Sequence, residues 1–234
     1  MHNNVYSIQK GSFMITLTQP PVSTVLEQLF ADADTSRALM HKQMAALSAE
    51  EREALMASAR SADYQGFYRR AKEFHLAVSR QTGALLYMYA RMIKAHSIVE
   101  FGTSFGVSTL HLAAALRDNG GGLLISTEFE SSKVAAARGT IAAAGLGDLV
   151  EVREGDALET LASGLPEHID LVLLDGAKAL YPAVLSLLEP HLRAGSVLVA
   201  DNADWSPEYL GIVRSSGRYF SQGLADDVEV SIKL

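Results

Sequence analysis

Ile98-Val99-Glu100-Phe101-Gly102-Thr103-Ser104-Phe105-Gly106-Val107-Ser108 is the stretch that decides the fold. A short apolar run breaks at one glycine, and a second glycine four residues on leads into an alanine-rich segment. This reads as strand, tight turn and helix. Gly102 and Gly106 let the backbone turn sharply and approach a ligand closely, while the helix beginning near Ser108 offers unpaired N–H groups. The spacing is G-x-x-x-G. Ser104 stands where the dinucleotide fingerprint has its middle glycine, which argues against a pyrophosphate on the turn and so against NAD or FAD.

Working outward, short apolar runs alternate with alanine-rich helical segments. The expected strands are 97–101, 122–127, 150–153, 169–174 and 196–200, and the helices between them are 108–118, 132–144, 157–161 and 181–192. Such alternation implies βαβ units, and hence an α/β fold with a doubly wound parallel sheet covered on both faces. The end of the chain breaks the pattern: a helix over 207–215 precedes two strands, 218–223 and 228–233, which predicts an antiparallel hairpin added to the sheet.

Upstream the reading is helical. Val22, Val25, Leu26 and Leu29 follow three/four spacing after Pro20-Pro21, and Ser48 with Glu51 fits a capping box opening a second helix to about Ala59. A third begins near Ser79. Met40, Met44, Leu47 and Met56 read as helix packing, with a methionine-rich lid over an apolar ligand as the other reading. The expected organisation is a frayed N-terminus over 1–20 (Met14 being a possible initiator), a helical extension over 21–90 packed on the core, and one domain over 91–234.

Composition bounds the function. Of 234 residues, 48% are hydrophobic and 20% charged, enough for a full core. No run approaches a membrane span, and the N-terminus lacks a secretory pattern. Cysteine is absent, which removes disulfides, thiol nucleophiles and cysteine-bound zinc and suits a cytoplasmic location. A net charge of −7, with basic residues clustered only at Arg69-Arg70 and Lys72, speaks against nucleic acid.

The chemistry gathers at strand ends, which share one edge in a parallel sheet. Glu128 ends the second strand about twenty residues beyond the glycine turn, where a carboxylate can accept from both hydroxyls of a ribose. Asp156, in Gly155-Asp156-Ala157, can accept an adenine amine or cap the next helix. Asp175 ends the fourth strand, and Asp201-Asn202 the fifth. Two carboxylates and an amide carbonyl form an oxygen half-shell suited to Mg²⁺ or another hard cation such as Mn²⁺ or Ca²⁺. Lys178, three residues beyond Asp175, is expected to have a lowered pKa beside that cation and to serve as a general base.

In order and spacing, these motifs resemble the cation-dependent S-adenosylmethionine O-methyltransferases, the group containing catechol and caffeoyl-CoA O-methyltransferases. The resemblance covers roughly residues 77–202. It implies a seven-stranded, Rossmann-like class I methyltransferase sheet and a homodimer. Gly102, Ser108 and the segment around Val78 would line the methionine half of the cofactor, with Glu100 near it. Glu128 would hold the ribose, Asp156 and Ala157 would flank adenine, and Ser104, Gly106 and Phe129 complete the cofactor-binding set. Asp175, Asp201 and Asn202 would bind the cation, Asp175 also lying near the sulfonium, and Lys178 with Asp175 would be catalytic. The catechol enzymes have histidine and tryptophan where this chain has Gly176 and Ala177, so a roomier site is expected; Trp205 is a candidate to rebuild the aromatic wall. The implied substrate is a small hydroxylated aromatic molecule with vicinal oxygens. Methylation of a hydroxyuridine in tRNA, and a nucleotide-binding module without chemistry, are the alternatives.

Overall fold

The computed structural model describes residues 15–60, 66, 68, 69, 71–224 and 227–234. The possible initiator Met14, the first residues and part of the 40–68 segment lie outside this description. Helix α1 (Val22–Ala46) is followed by α2 (Ala49–Arg60) and α3 (Arg80–Met92). The capping box before α2 forms in both directions: Ser48 N donates to Glu51 Oε2 at 2.8 Å, and Glu51 N to Ser48 Oγ at 3.1 Å. Ser79 caps α3, accepting from Thr82 N at 3.0 Å.

The remainder alternates: β1 (Ser97–Phe101), α4 (Val107–Asp118), β2 (Leu123–Glu128), α5 (Ser131–Ala143), β3 (Val150–Glu154), α6 (Ala157–Thr160), β4 (Ile169–Leu174), α7 (Tyr181–Leu188), β5 (Leu192–Ala200) and α8 (Pro207–Ser215). The hairpin β6 (Tyr219–Gly223) and β7 (Glu229–Lys233) ends the chain. One seven-stranded sheet results, in the order β3-β2-β1-β4-β5-β7-β6. Strands β1 to β5 are parallel; β7 runs antiparallel to both β5 and β6.

Central strands are apolar on both faces because helices cover both. Ile98, Leu171, Leu173 and Val199 face α1, α3 and α4. Val99, Val172, Leu174 and Leu198, their neighbours in sequence, face α7, α8 and Tyr219. Strand order reverses between β1 and β4, so the glycine turn after β1 and Asp175 after β4 meet at the switch point, where open α/β sheets bind ligands.

The N-terminal helices join this core unevenly. Val22, Leu26, Leu29, Phe30 and Ala33 of α1 are buried, and nothing beyond Ala33 on that helix is. Met40, Met44, Leu47 and Met56 are half-buried. The fraying expected over 1–20 does not reach residues 15–20. Thr16 donates from its N and Oγ1 to the Asp118 carboxylate, at 3.1 and 2.5 Å for the shortest of each, in a short 3-10 turn, Thr16–Thr18.

Candidate active site

The glycine turn owes its shape to three left-handed residues, Gly102 (φ 106°), Ser104 (φ 48°) and Gly106 (φ 94°). Gly102 allows a close approach as well as a turn: a Cβ there would lie 2.7 Å from the Asp175 carbonyl and the Gly176 nitrogen. Gly106 is the N-cap residue of α4. Beneath the turn, Glu100 is wholly buried and accepts three hydroxyl donors: Ser108 at 2.5 Å, Thr109 at 2.6 Å and Ser126 at 2.6 Å. Burial pushes its pKa up to about 7, against those donors. Glu100 therefore ties β1 to the start of α4 and to β2, and its carboxylate lines neither cavity described here. Val78 is likewise core, although its neighbours Leu76 and Ala77 do line the site.

A cleft of about 970 Å³, its open mouth included, runs along the carboxyl ends of β1 to β4. Its wall contains Gly102, Ser104, Glu128, Phe129, Asp156, Ala157 and Asp175, so most of the expected cofactor set converges there. A smaller adjoining cavity takes in Ser108, with Gly102, Ser104 and Asp175 common to both. Glu128 accepts from Ser104 N at 2.9 Å and Glu130 N at 3.0 Å, so it braces the glycine turn while facing the cleft. Asp156 caps α6, its carboxylate accepting from Leu158 N at 2.8 Å, and it also lines the cleft. Two hydroxyls in that wall, Ser104 Oγ and Thr127 Oγ1, are buried without a hydrogen-bond partner. Buried polar groups without partners are uncommon, and these two fit a polar ligand.

At the next strand ends, Lys178 Nζ donates to Asp175 Oδ1 at 2.8 Å, the lysine buried and the aspartate half-buried. Tyr181 Oη donates to the carbonyls of Leu174 and Asp201, at 2.7 and 2.9 Å, holding the two strand ends together. Burial raises Asp175, with Lys178 opposing; burial and the Asp175 charge push Asp201 up to about 7. The Lys178 ammonium is held by its protein neighbours. Burial alone would lower its pKa, yet Asp175, Tyr181, Tyr68 and Asp201 hold it well above the ordinary lysine value. The expected lowering thus depends on a cation that these protein groups do not replace. Asn202, at φ 48°, begins the 3-10 turn Ala203–Trp205 where the chain leaves β5. Lys178, Asp201, Asn202 and Trp205 do not line the cleft. Among the described residues no three His, Cys, Asp or Glu side chains form a metal-binding cluster.

Gly176 is explained from inside the protein. A Cβ there would sit 2.5 Å from the Phe101 ring, which takes the space. Tyr68, from the N-terminal segment, lines the cleft beside Gly176, its hydroxyl 3.4 Å from the Gly176 carbonyl. Neither Tyr68 nor Lys133, a buried cleft residue of α5, is apparent from the strand-end motifs. The available signal for Lys133 is a lysine four residues before Ala137 and eight before Ile141, on the inward helix face.

Residues 99–203 match a family model described as a methyltransferase domain. The chain is 33% identical over 130 residues to a catechol O-methyltransferase of Niastella koreensis (54% of this chain, 58% of the relative). It is 35% identical over 161 residues to catechol O-methyltransferase B of Danio rerio (65% and 60%). It thus spans under two thirds of the length of these relatives. Among solved structures, the O-methyltransferase TomG of Streptomyces achromogenes in complex with SAM aligns with TM-score 0.60 and 26% identity, over 76% of this chain and 89% of that one. An O-methyltransferase from Bacillus cereus in complex with SAH aligns with TM-score 0.63 over 77% and 91%; at 22% identity it speaks for the fold alone. Fold, matched domain and relatives together make this chain similar to the O-methyltransferases, with a methyltransferase domain over residues 99–203.

Proposed function

We propose that this chain transfers a methyl group from S-adenosylmethionine to a hydroxyl of a small catechol-like substrate, assisted by a divalent cation. The carrying observation is that Asp175 belongs at once to the cleft wall and to the carboxylate pair with Asp201. Cofactor and acceptor sites would therefore abut at one residue. Glu128 would hold the ribose, with Phe129, Asp156 and Ala157 around adenine; Gly102, Ser104 and Ser108 would face the methionine half. The orphaned Ser104 and Thr127 hydroxyls support a polar occupant of this kind.

Asp175, Asp201 and the Asn202 amide would hold the cation. Burial and the Asp175 charge push Asp201 up to about 7, so a positive charge would favour this carboxylate pair, and all-oxygen donors suit Mg²⁺. When bound, S-adenosylmethionine supplies an electrophilic methyl group and the cation lowers the pKa of the acceptor hydroxyl. The chain's own part is positioning: the glycine turn and Asp175 fix donor and acceptor lines of approach, and Lys178 Nζ holds or takes the hydroxyl proton. The names of the relatives support a catechol-like acceptor.

The reading takes 21–90 as a helical extension and 91–234 as the methyltransferase domain. It also includes a homodimer through part of residues 22–90, supported by the exposed apolar Leu39, Met88 and Met92 on those helices. A cytoplasmic location suits a chain with no cysteine; among the described residues no helix is long and apolar enough to cross a membrane. Incubation with S-adenosylmethionine and a panel of catechols, read by mass spectrometry, tests the reaction. O-methylated catechol is expected; no methylation of any vicinal-oxygen ring would overturn the acceptor class.

A further inference from the structure

Helix α5 carries a cation where the rest of its inward face is apolar. Lys133, Val134, Ala137 and Ile141 are its buried residues. Lys133 is only 5% exposed and lines the cleft. Side chains of a helix lean towards its N-terminus, and from the third position of α5 this one lies beside the loop carrying Glu128 and Glu130. The Lys133 ammonium makes neither a hydrogen bond nor an ion pair with any described residue; its contact is the face of the Phe105 ring, 5.5 Å from Nζ. Burial lowers its pKa, and the charges of Glu128, Glu130, Asp175 and Glu73 oppose that lowering.

The Lys133 ammonium opens to the cleft with no acceptor among the described residues, so an oxygen brought by a ligand can accept from it. Glu128 beside it can only accept when ionised. Together they suit a diol, which donates its protons to the carboxylate and accepts from the ammonium. The same positive charge acts on everything else in the cleft. In a site screened by little water, it opposes a bound cation and leaves a neutral ligand unaffected.

We propose that Lys133 selects between cofactor forms: it donates to a ribose oxygen held by Glu128, and its charge weakens binding of the cationic sulfonium donor relative to the neutral thioether product. The proposal rests on the reading that this cleft takes S-adenosylmethionine. It makes the enzyme sensitive to its own product, S-adenosylhomocysteine, through a residue that does not touch the reacting atoms.

Calorimetric titration of both molecules into the wild type, Lys133→Met, Lys133→Arg and Glu128→Ala tests it. Lys133→Met should weaken S-adenosylhomocysteine binding by about 10-fold, the scale of one charge-assisted hydrogen bond. S-adenosylmethionine should lose no more than about 3-fold, because removing the charge also removes repulsion. Lys133→Arg should keep the wild-type ratio, and its thermal melt should match the wild type, separating selection from misfolding. Equal losses for the two ligands in Lys133→Met, or no loss for either, would overturn the proposal. Glu128→Ala separates the two levels of argument. If it leaves both affinities unchanged, the cofactor reading itself falls; if it weakens both while Lys133→Met does not shift their ratio, only the role of Lys133 falls.

Discussion

Phe101 and Gly176 are a matched pair: the Phe101 ring lies where any side chain at 176 would begin, 2.5 Å from a built Cβ. Gly176→Ala should therefore destabilise by about 1–3 kcal/mol, the usual cost of forcing an extra group into a filled space. Phe101→Leu opens that space, so the double variant should recover part of the loss. A denaturant-melt double-mutant cycle measures this, and strictly additive effects would show that the two positions are not coupled.

The Glu100 cluster predicts a pH dependence of stability. Its pKa is raised from an ordinary 4.5 to about 7 by burial. Between those values the folded state binds more protons than the unfolded state, so this group's contribution to stability falls as pH rises. The full change approaches about 3 kcal/mol for a shift of this size. Asp201, also raised to about 7, acts in the same direction. Glu100→Gln keeps hydrogen-bonding capacity without the titration, and its unfolding free energy should decline less between pH 4.5 and 7 than that of the wild type. Parallel curves for the two proteins would contradict the assignment.

Much of this could be read from the chain because the signals are local. The capping box of Ser48 and Glu51 closes within four residues, and β1 and β4 match their apolar runs residue for residue. Strand-end acids were legible because a parallel sheet brings its carboxyl ends to one edge. What escaped depends on distant partners. Thr16 is ordered by Asp118, 102 residues away. Strand β5 begins at Leu192, before the expected Ser196, because Leu192 pairs with Ile169 across a register shift. Lys133 is buried because α5 packs on the sheet, where a lone lysine in sequence would pass for a solvated one. Only the three hydroxyls converging on Glu100 from α4 and β2 reveal its bracing role.

Lys178 can be tested apart from the cation. Lys178→Ala should leave S-adenosylhomocysteine affinity in place and lower turnover on a catechol by roughly 10²–10⁴-fold, the range for a lost general base. Activity should recover partly at higher pH, where the acceptor hydroxyl ionises unaided. Unchanged kcat with a higher KM would instead make Lys178 a binding group only.

Metal-assisted methyl transfer is tested most directly by the initial rate of S-adenosylhomocysteine formation from S-adenosylmethionine with a catechol as acceptor, before and after chelation. Stripping divalent cations should abolish turnover, and Mg²⁺ should restore it, because on the proposed reading Asp175, Asp201 and Asn202 would supply three of about six oxygen ligands and leave room for the substrate's pair. Asp201→Ala should not be rescued at the same Mg²⁺ concentration. A rate indifferent to chelator, in a protein that still methylates the ring, would contradict the metal-assisted mechanism.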